Sequence, residues 1–154
     1  MTTLLPGTVA PPFSLPASNG KTVSLNELVG KKVILYFYPK DDTPGCTKEA
    51  CGFRDLIGEI KMAGAEVFGI SPDTVESHKA FIKKFALTFP LLADTDKKVA
   101  NAYGAWGENT IRGIKKMGVL RMTFLIDEAG KIEKVWPKVQ PEEHPGEVLR
   151  AIKA

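Results

Sequence analysis

Two apolar runs dominate the hydrophobic pattern in the first half of the chain. Residues 33–38 are β-branched, aromatic or leucine without polar alternation, the pattern of a strand covered on both faces, and residues 65–70 predict a second buried strand. Between them a helix is predicted to about Met62, because Thr43 can act as its N-cap and Pro44 fits its first turn. Two strands joined through a helix indicate a parallel pair with a right-handed crossover.

Two β-hairpins are predicted near the ends of the chain. The first turns at Asn19-Gly20, a pair that tolerates the positive φ of a tight turn, and the second turns at the polar residues 127–130. The four strands of these hairpins are predicted at residues 13–15, 22–25, 122–126 and 131–136.

The rest of the pattern completes an α/β layout. It predicts one short strand at residues 91–92 and three helices at residues 75–85, 96–103 and 143–152. Residues 105–118 carry no pattern that assigns an element. A βαβ unit followed by a β-hairpin and a terminal helix is typical of a thioredoxin-like fold. We therefore expect a three-layer α/β sandwich with a central mixed β-sheet and an N-terminal β-hairpin, formed by residues 1–154 as a single domain.

Composition and charge exclude several classes of protein. The chain has 154 residues, of which 44% are apolar and 25% charged, and its formal net charge is +3. The lysines are spread along the sequence without interleaved aromatic residues, so no nucleic-acid partner is expected. The N-terminus has no signal-peptide pattern, and no segment approaches the ~18 apolar residues of a membrane span. We expect a soluble, cytoplasmic protein with no membrane partner.

The two cysteines are the strongest candidates for chemistry. Cys46 and Cys51 lie five positions apart, and such a pair is a poor structural staple in a reducing compartment, which favours a catalytic, redox-sensing or metal-binding role. With His78 and His144 they form no recognised zinc spacing, and the sequence has no glycine-rich phosphate loop. No metal or other cofactor is expected, and both histidines are expected to face solvent or to cap a helix.

The predicted position of Cys46 favours an ionised sulfur. If Thr43 caps the helix, Cys46 is the third helical residue, among backbone N–H groups without intrahelical acceptors and at the positive end of the helix dipole. This environment favours thiolate over thiol and therefore a nucleophilic sulfur. Gly45 leaves the approach to the sulfur open, and the free N–H groups can also bind a polar or anionic ligand.

The spacing of the two cysteines predicts a conformational switch. Five residues along an ideal helix separate two Cα atoms by about 8.6 Å, whereas a disulfide requires less than about 7 Å. An intact helix therefore keeps Cys46 and Cys51 apart, and a bond between them requires one turn to unwind. Reduced and oxidised forms of the chain should differ in local fold.

The segment around Cys46 resembles a known active site. The run Pro39-x-x-x-Thr43-x-x-Cys46 is similar to the active-site motif of the peroxiredoxins. Residues 37–41 and 43–47, followed by Cys51, resemble those of the bacterioferritin comigratory proteins, also called peroxiredoxin Q. The likeness extends from about Gly7 to the C-terminus and includes Tyr103-Gly104, Trp106 and Arg121-x-Thr123-Phe124-Leu125-Ile126-Asp127.

The resemblance implies reduction of hydrogen peroxide and organic hydroperoxides. Cys46 would be the peroxidatic cysteine, oxidised to a sulfenic acid, and Cys51 the resolving cysteine that condenses with it to an intramolecular disulfide. Thioredoxin or a similar dithiol protein would reopen the disulfide. The family also implies a monomer.

The resemblance assigns supporting roles to four further residues. Thr43 would bring its hydroxyl near the sulfur and the peroxide. Arg121 would place a guanidinium beside them, where it can stabilise the thiolate and the charge on the departing oxygen. Pro39 would limit solvent and shape the loop. Glu49 lies three residues after Cys46 on the same helical face, where it can orient Arg121 or another cation.

Two other functions are compatible with parts of this pattern. A general disulfide oxidoreductase also uses two cysteines, but the Cys-x-x-Cys pair that such proteins normally carry is absent. A non-catalytic redox sensor or binding module would use the same helix opening to signal to a partner. Sustained peroxide turnover with a recycling reductant separates an enzyme from a sensor.

Overall fold

The structure is a computed structural model that describes residues 4–111 and 113–153, and a mixed five-stranded β-sheet lies at its centre. In chain order the strands are β1 (Ser14–Pro16), β2 (Thr22–Ser24), β3 (Lys32–Phe37), β4 (Ala65–Ser71), β5 (Leu91–Ala93), β6 (Trp106–Ile111), β7 (Ile114–Val119), β8 (Met122–Ile126) and β9 (Ile132–Trp136). The helices are α1 (Pro44–Met62), α2 (Val75–Phe85), α3 (Lys98–Ala102) and α4 (His144–Lys153), with a short 3-10 helix at Leu25–Leu28. The central sheet has the order β5-β4-β3-β8-β9, in which β3, β4 and β5 are parallel and β8 runs antiparallel to β3 and β9.

The central strand β3 separates two buried layers. Its side chains alternate between them: Val33, Leu35 and Phe37 join one hydrophobic cluster, whereas Ile34 and Tyr36 join the other. The first cluster also contains side chains of α3 and the N-terminal hairpin, and the second contains those of α1, α2 and α4. Because both faces are covered, β3 has no polar alternation. The expected three-layer sandwich with a mixed sheet is confirmed.

Most of the predicted elements are present. The N-terminal hairpin forms from β1 and β2, and the two buried runs form the parallel pair β3 and β4. The second predicted hairpin corresponds to β8 and β9, and α2 spans the predicted residues. Among the helices of the described part of the chain, none is long and apolar enough to cross a lipid bilayer.

Helix α3 is shorter than the sequence predicts. It begins at Lys98 because the preceding residue, Lys97, has a left-handed and not a helical backbone, with φ 61°. The Asp94 carboxylate then accepts hydrogen bonds from the N–H groups of Val99 and Ala100, at 3.2 and 2.9 Å. A carboxylate from before the turn thus satisfies the amides at the start of the helix.

A third antiparallel pair, β6 and β7, occupies the segment for which the sequence predicts no element. It forms a two-stranded sheet outside the central one. Residues 114–117 of β7 are all exposed, so their side chains do not alternate between buried and exposed positions. The lack of alternation over residues 114–117 explains why the hydrophobic pattern does not reveal this hairpin.

Both histidines are fully buried, and the expectation that they face solvent or cap a helix is wrong. His78 of α2 contacts the Asp41 carboxylate and the Leu92 carbonyl. In α4, Nε2 of His144 lies 2.7 Å from the Thr123 hydroxyl. Polar partners within the core satisfy these ring nitrogens, and no periodic pattern along the chain indicates such partners.

Helices α1 and α4 approach each other at a glycine. A Cβ atom at Gly52 would lie 2.7 Å from Cγ of Pro145, a distance at which one of the two helices must shift. A Cβ atom at Gly58, in the same helix, would meet no neighbouring atom within 4 Å. Gly52 therefore sets the separation of α1 and α4 immediately after Cys51.

We expect Gly52→Ala to lower the free energy of unfolding by about 1–2 kcal/mol, because the added methyl group overlaps the rigid ring of Pro145. Gly58→Ala is the matched control, since it makes the same change on an open face of α1. That control should raise the free energy of unfolding by about 0.5–1 kcal/mol through helix propensity. Denaturant unfolding of the reduced proteins measures both, and equal stabilisation by the two substitutions would contradict the close contact.

Candidate active site

The candidate site lies where β3 ends and α1 begins. Pro44 is the first residue of α1, so Cys46 is the third, as predicted. The N–H of Thr47 donates to the Thr43 carbonyl at 2.8 Å, and the amides before Thr47 have no acceptor within the helix. Cys46 is only 1% exposed. Its sulfur is therefore held away from bulk water at the positive end of the helix dipole.

Thr43 has the extended backbone of an N-cap, with φ −101° and ψ 157°, but its side chain does not cap the helix. The hydroxyl instead donates to the carbonyl of Lys40 at 3.0 Å. The expectation of a side-chain cap is wrong because this hydroxyl closes the preceding turn, in which Asp42 has a left-handed φ of 58°. The Thr43 hydroxyl thus occupies none of the N–H groups at the start of α1.

Strand pairing explains why Arg121 reaches Cys46. In the antiparallel pair of β3 and β8, Phe37 lies opposite Met122, so the residue before Met122 lies at the end of β3 from which the chain enters α1. Nη2 of Arg121 donates to Sγ of Cys46 at 3.3 Å, and Nη1 donates to Oε1 of Glu49 at 2.9 Å. The structure brings together three of the residues that the sequence singles out.

Glu49 is a buried carboxylate with incomplete hydrogen bonding. The side chain is fully buried, and among the described residues Oε2 has no hydrogen-bond partner. Burial raises the pKa of Glu49 from 4.5 to about 7, against the opposing effect of the Arg121 guanidinium. Although burial by itself lowers the pKa of Arg121, the neighbouring Cys46 and Glu49 raise it above its ordinary value. Arg121 is therefore a permanent cation beside a carboxyl group that titrates near neutrality.

Gly45 lies directly against the guanidinium. A Cβ atom there would be 3.2 Å from Nη2 of Arg121 and 3.6 Å from Cγ of Pro141. The absence of a side chain at Gly45 thus leaves room for Arg121, in addition to leaving the helix start open. A cavity of about 290 Å³ adjoins this position, lined by Gly45, Lys48, Gln140, Pro141, Glu142 and Glu143.

Two further predicted site residues flank Cys46 in the sequence: Pro39 precedes it and Cys51 follows it. Cys51 is half-buried in the same uninterrupted helix as Cys46, and both residues are free thiols. This arrangement corresponds to the reduced state, in which the intact helix keeps the two cysteines apart. Pro39 is exposed in the connection between β3 and α1, and its role in limiting solvent stays a prediction.

A group of residues next to the site is not indicated by the sequence pattern. Asp41 reads as part of a polar turn, yet it is only 7% exposed and accepts a hydrogen bond from the Tyr38 hydroxyl at 2.6 Å. Its other oxygen contacts His78 of α2. The only sequence signal is the position of Asp41 between a buried strand and the cysteine helix.

The fold and the site define the class of protein first. A thioredoxin-like sheet carries a buried cysteine at the start of a long helix, and an arginine from the neighbouring antiparallel strand donates to its sulfur. A thiol in such surroundings is typical of proteins that use cysteine in redox chemistry.

Comparisons with known proteins give the family. The model of the AhpC/TSA family matches residues 6–135. A bcp protein of Coxiella burnetii is 53% identical over 143 residues, 93% of this chain and 95% of that protein. Peroxiredoxin Bcp of Escherichia coli is 44% identical over 153 residues, 99% of this chain and 98% of that protein. The chain therefore belongs to the AhpC/TSA family, as a peroxiredoxin of the bacterioferritin comigratory protein, or peroxiredoxin Q, subfamily.

A solved structure agrees with this assignment. The Xanthomonas campestris bacterioferritin comigratory protein, studied for its alkyl peroxide reduction activity, matches with a TM-score of 0.87 at 35% identity. The match covers 99% of this chain and 98% of that one. Membership of this family supports thiol peroxidase activity. Within residues 4–111 and 113–153, no three His, Cys, Asp or Glu side chains form a group that could hold a metal ion.

We expect Glu49→Gln to change how stability depends on pH. The pKa of Glu49 is about 7 in the folded chain and 4.5 as its ordinary value, so between these values the folded state binds more protons than the unfolded state. The free energy of unfolding of the wild type should therefore fall as pH rises through this window, by roughly 1 to 3 kcal/mol relative to Glu49→Gln.

Denaturant unfolding of the reduced proteins at about pH 5 and about pH 8 measures this effect. Glu59→Gln is the control, because it makes the same change on an exposed residue of α1. A stability difference between wild type and Glu49→Gln that stays constant with pH would exclude a carboxyl group that titrates near neutrality at this position.

Proposed function

We propose that this chain is a thiol-dependent peroxidase that reduces hydrogen peroxide and organic hydroperoxides, with Cys46 as the attacking residue. The observation that carries the proposal is the contact of 3.3 Å between Nη2 of Arg121 and Sγ of Cys46 at the start of α1. A cation and unpaired helix amides together favour the thiolate, which is the nucleophilic form of cysteine.

In the proposed first step, the Cys46 thiolate attacks one oxygen of the hydroperoxide. An S–O bond forms and the O–O bond breaks, so sulfur is oxidised to a sulfenic acid and the peroxide is reduced to water or an alcohol. The departing oxygen gains negative charge before it takes up a proton. Arg121 is close enough to stabilise that charge, since its guanidinium already lies against the sulfur.

Thr43 is suited to orient the peroxide. Its hydroxyl hydrogen is engaged by the Lys40 carbonyl, so toward a ligand the oxygen can act only as an acceptor. An organic hydroperoxide carries one O–H donor and hydrogen peroxide carries two. Thr43 can accept from one of them, while helix amides and Arg121 donate to the peroxide oxygens. This division of roles would favour one orientation of the O–O bond at Cys46.

Cys51 is the proposed resolving residue. Its thiol would attack the sulfenic acid of Cys46, form the S–S bond and release water. From Gly52 onward, α1 is held by the contact with Pro145 and by the buried ring of Phe53. The preceding turns are therefore the part of α1 that can unwind.

Oxidation itself would favour this unwinding. While Cys46 is a thiolate, its attraction to Arg121 helps to hold the first turn of α1 in place. The sulfenic acid is neutral, so that ionic attraction is lost. The remaining surface ion pair of the first turns, Lys48 with Glu142, is largely exposed and contributes little.

Recycling requires an external reductant. Thioredoxin or a similar dithiol protein would attack the disulfide and return both cysteines to thiols. We further propose that the chain acts as a monomer in the cytoplasm and forms a single domain. Organic hydroperoxides are included because the Xanthomonas campestris relative was studied for alkyl peroxide reduction.

A redox sensor is the second candidate, because unwinding of α1 would present a different surface in the oxidised form. A sensor would be oxidised once without sustained turnover. Steady-state consumption of hydrogen peroxide and of an organic hydroperoxide, with thioredoxin and its reductase, separates the two functions. Turnover far beyond one equivalent of the protein supports the peroxidase.

We expect Cys46→Ser to lower the rate constant for hydrogen peroxide by roughly a thousandfold or more, because the substitution removes the nucleophile. Stopped-flow measurement of peroxide consumption tests this. Cys51→Ser is the matched control and should keep the first oxidation step. If wild type and Cys46→Ser consume peroxide equally slowly, Cys46 is not the attacking residue.

Mass spectrometry after one equivalent of peroxide tests the role of Cys51. We expect the wild type to lose two hydrogens within one chain, since the proposed product is the intramolecular disulfide of Cys46 and Cys51. Cys51→Ser should instead retain an oxidised Cys46 that a sulfenic-acid reagent captures. A free Cys51 thiol that persists in the oxidised wild type would indicate an enzyme that uses one cysteine.

A further inference from the structure

A buried hydrogen-bonded group lies beside the site and has no part in the reaction proposed above. It is centred on the carboxylate of Asp41, which is 7% exposed. Oδ1 accepts from the Tyr38 hydroxyl at 2.6 Å, and Oδ2 accepts from the Ser77 hydroxyl at 2.8 Å. The fully buried His78 places Nδ1 2.7 Å from the same Oδ2.

The directions of the hydrogen bonds determine where the protons are. Nε2 of His78 lies 2.9 Å from the Leu92 carbonyl, which can only accept, so Nε2 carries a hydrogen. A second proton must lie between Nδ1 and Oδ2 of Asp41. Two hydroxyls already donate to this carboxylate and stabilise its ionised form. These contacts are those of a buried imidazolium–carboxylate pair, the arrangement that the ring spectrum below tests.

The Tyr38 hydroxyl is a reliable donor to this pair. Burial, followed by the nearby Tyr36 and Asp41, raises the pKa of Tyr38 well above its ordinary value. The phenol therefore keeps its hydrogen and donates it to Asp41.

The backbone of Asp41 is anchored as well as its side chain. Its N–H donates to Oδ2 of Asp73 at 2.8 Å, and that oxygen also accepts from the Ser71 hydroxyl at 2.7 Å. The next residue, Asp42, has a left-handed φ of 58°. A residue with a side chain keeps this conformation only when its neighbours hold it. Asp41 thus fixes the turn through which the chain enters α1.

We propose that His78 and Asp41 are positioning residues that fix the entry of α1 and thereby hold the Cys46 sulfur against Arg121. This role rests on the function proposed above. The pair acts from the side of β4 and α2, whereas Arg121 reaches the sulfur from the side of β8. If the pair were lost, the turn at Asp42 would relax and the first turn of α1 would move relative to the guanidinium.

The protonation of His78 can be measured on the reduced wild type without any assay of activity. In a nitrogen-15 correlation spectrum at neutral pH, we expect both ring nitrogens of His78 to carry hydrogens that exchange slowly with water. His78→Gln identifies these signals, because they disappear. A ring nitrogen without a hydrogen would overturn the imidazolium–carboxylate pair.

Kinetics test the positioning role. Asp41→Asn keeps the shape of the side chain but removes its charge, and we expect the rate constant of Cys46 with hydrogen peroxide to fall about tenfold or more. Both rates are measured at about pH 10, where an ordinary thiol is ionised with or without a neighbouring cation. Alkylation of Cys46 by iodoacetamide should then change little, because it requires the thiolate but not the placement of a peroxide. His78→Gln should give the same pattern, and it carries the test if Asp41→Asn does not fold.

Asp42→Asn is the matched control. It makes the same change in the next residue, whose carboxylate forms a partly exposed ion pair with Lys84 at 2.8 Å. We expect near wild-type rates with both reagents. Unchanged peroxide rates in Asp41→Asn and His78→Gln, or equal losses with peroxide and iodoacetamide, would contradict positioning. If the wild type itself does not react rapidly with peroxide, the proposed function fails and the positioning role with it, while the ring spectrum still decides whether the pair exists.

Discussion

The contact between Arg121 and Cys46 is the interaction on which the rest of the site depends. One guanidinium donates to the Cys46 sulfur at 3.3 Å and to Glu49 at 2.9 Å, in surroundings where both partners are almost inaccessible to water. Cys46 and Glu49 can each carry a negative charge, and a buried charge is stable only when it is paired. Arg121 supplies the positive charge that pairs with both. The one guanidinium is therefore shared between the sulfur and the carboxyl group.

Helix α1 has to meet two opposing requirements. It must be intact at its start, because the unpaired amides and the contact with Arg121 exist only in the helical form. It must also be able to unwind, because an intact helix keeps Cys46 and Cys51 too far apart for a disulfide. The contact of Gly52 with Pro145 reconciles the two requirements. It fixes α1 to α4 just beyond Cys51, whereas the earlier turns are held by the contact of Arg121 with Cys46 and Glu49 and by the burial of Ala50.

The sequence predicts those features that depend on a single element. The buried strands, the start of α1 and the position of Cys46 follow from hydrophobic runs and from Thr43 and Pro44. Contacts between elements cannot be predicted in this way. The hydrophobic periodicity of a segment indicates which of its residues are buried, but not which other segment they contact. The approach of Arg121 to Cys46 is expected only from family resemblance. The partners of His78 and of His144 leave no pattern along the chain. The hairpin of β6 and β7 goes unpredicted because residues 114–117 are all exposed and show no alternation.

The topology of the sheet explains why the site forms at the end of β3. A parallel neighbour brings its carboxyl end to the same edge, so β4 delivers the loop that carries Asp73. An antiparallel neighbour brings its beginning to that edge, so β8 delivers Arg121. With one neighbour of each kind, the entry to α1 receives polar groups from both sides. A purely parallel sheet would have placed the start of β8 at the opposite edge, and the sulfur would have lacked its cation.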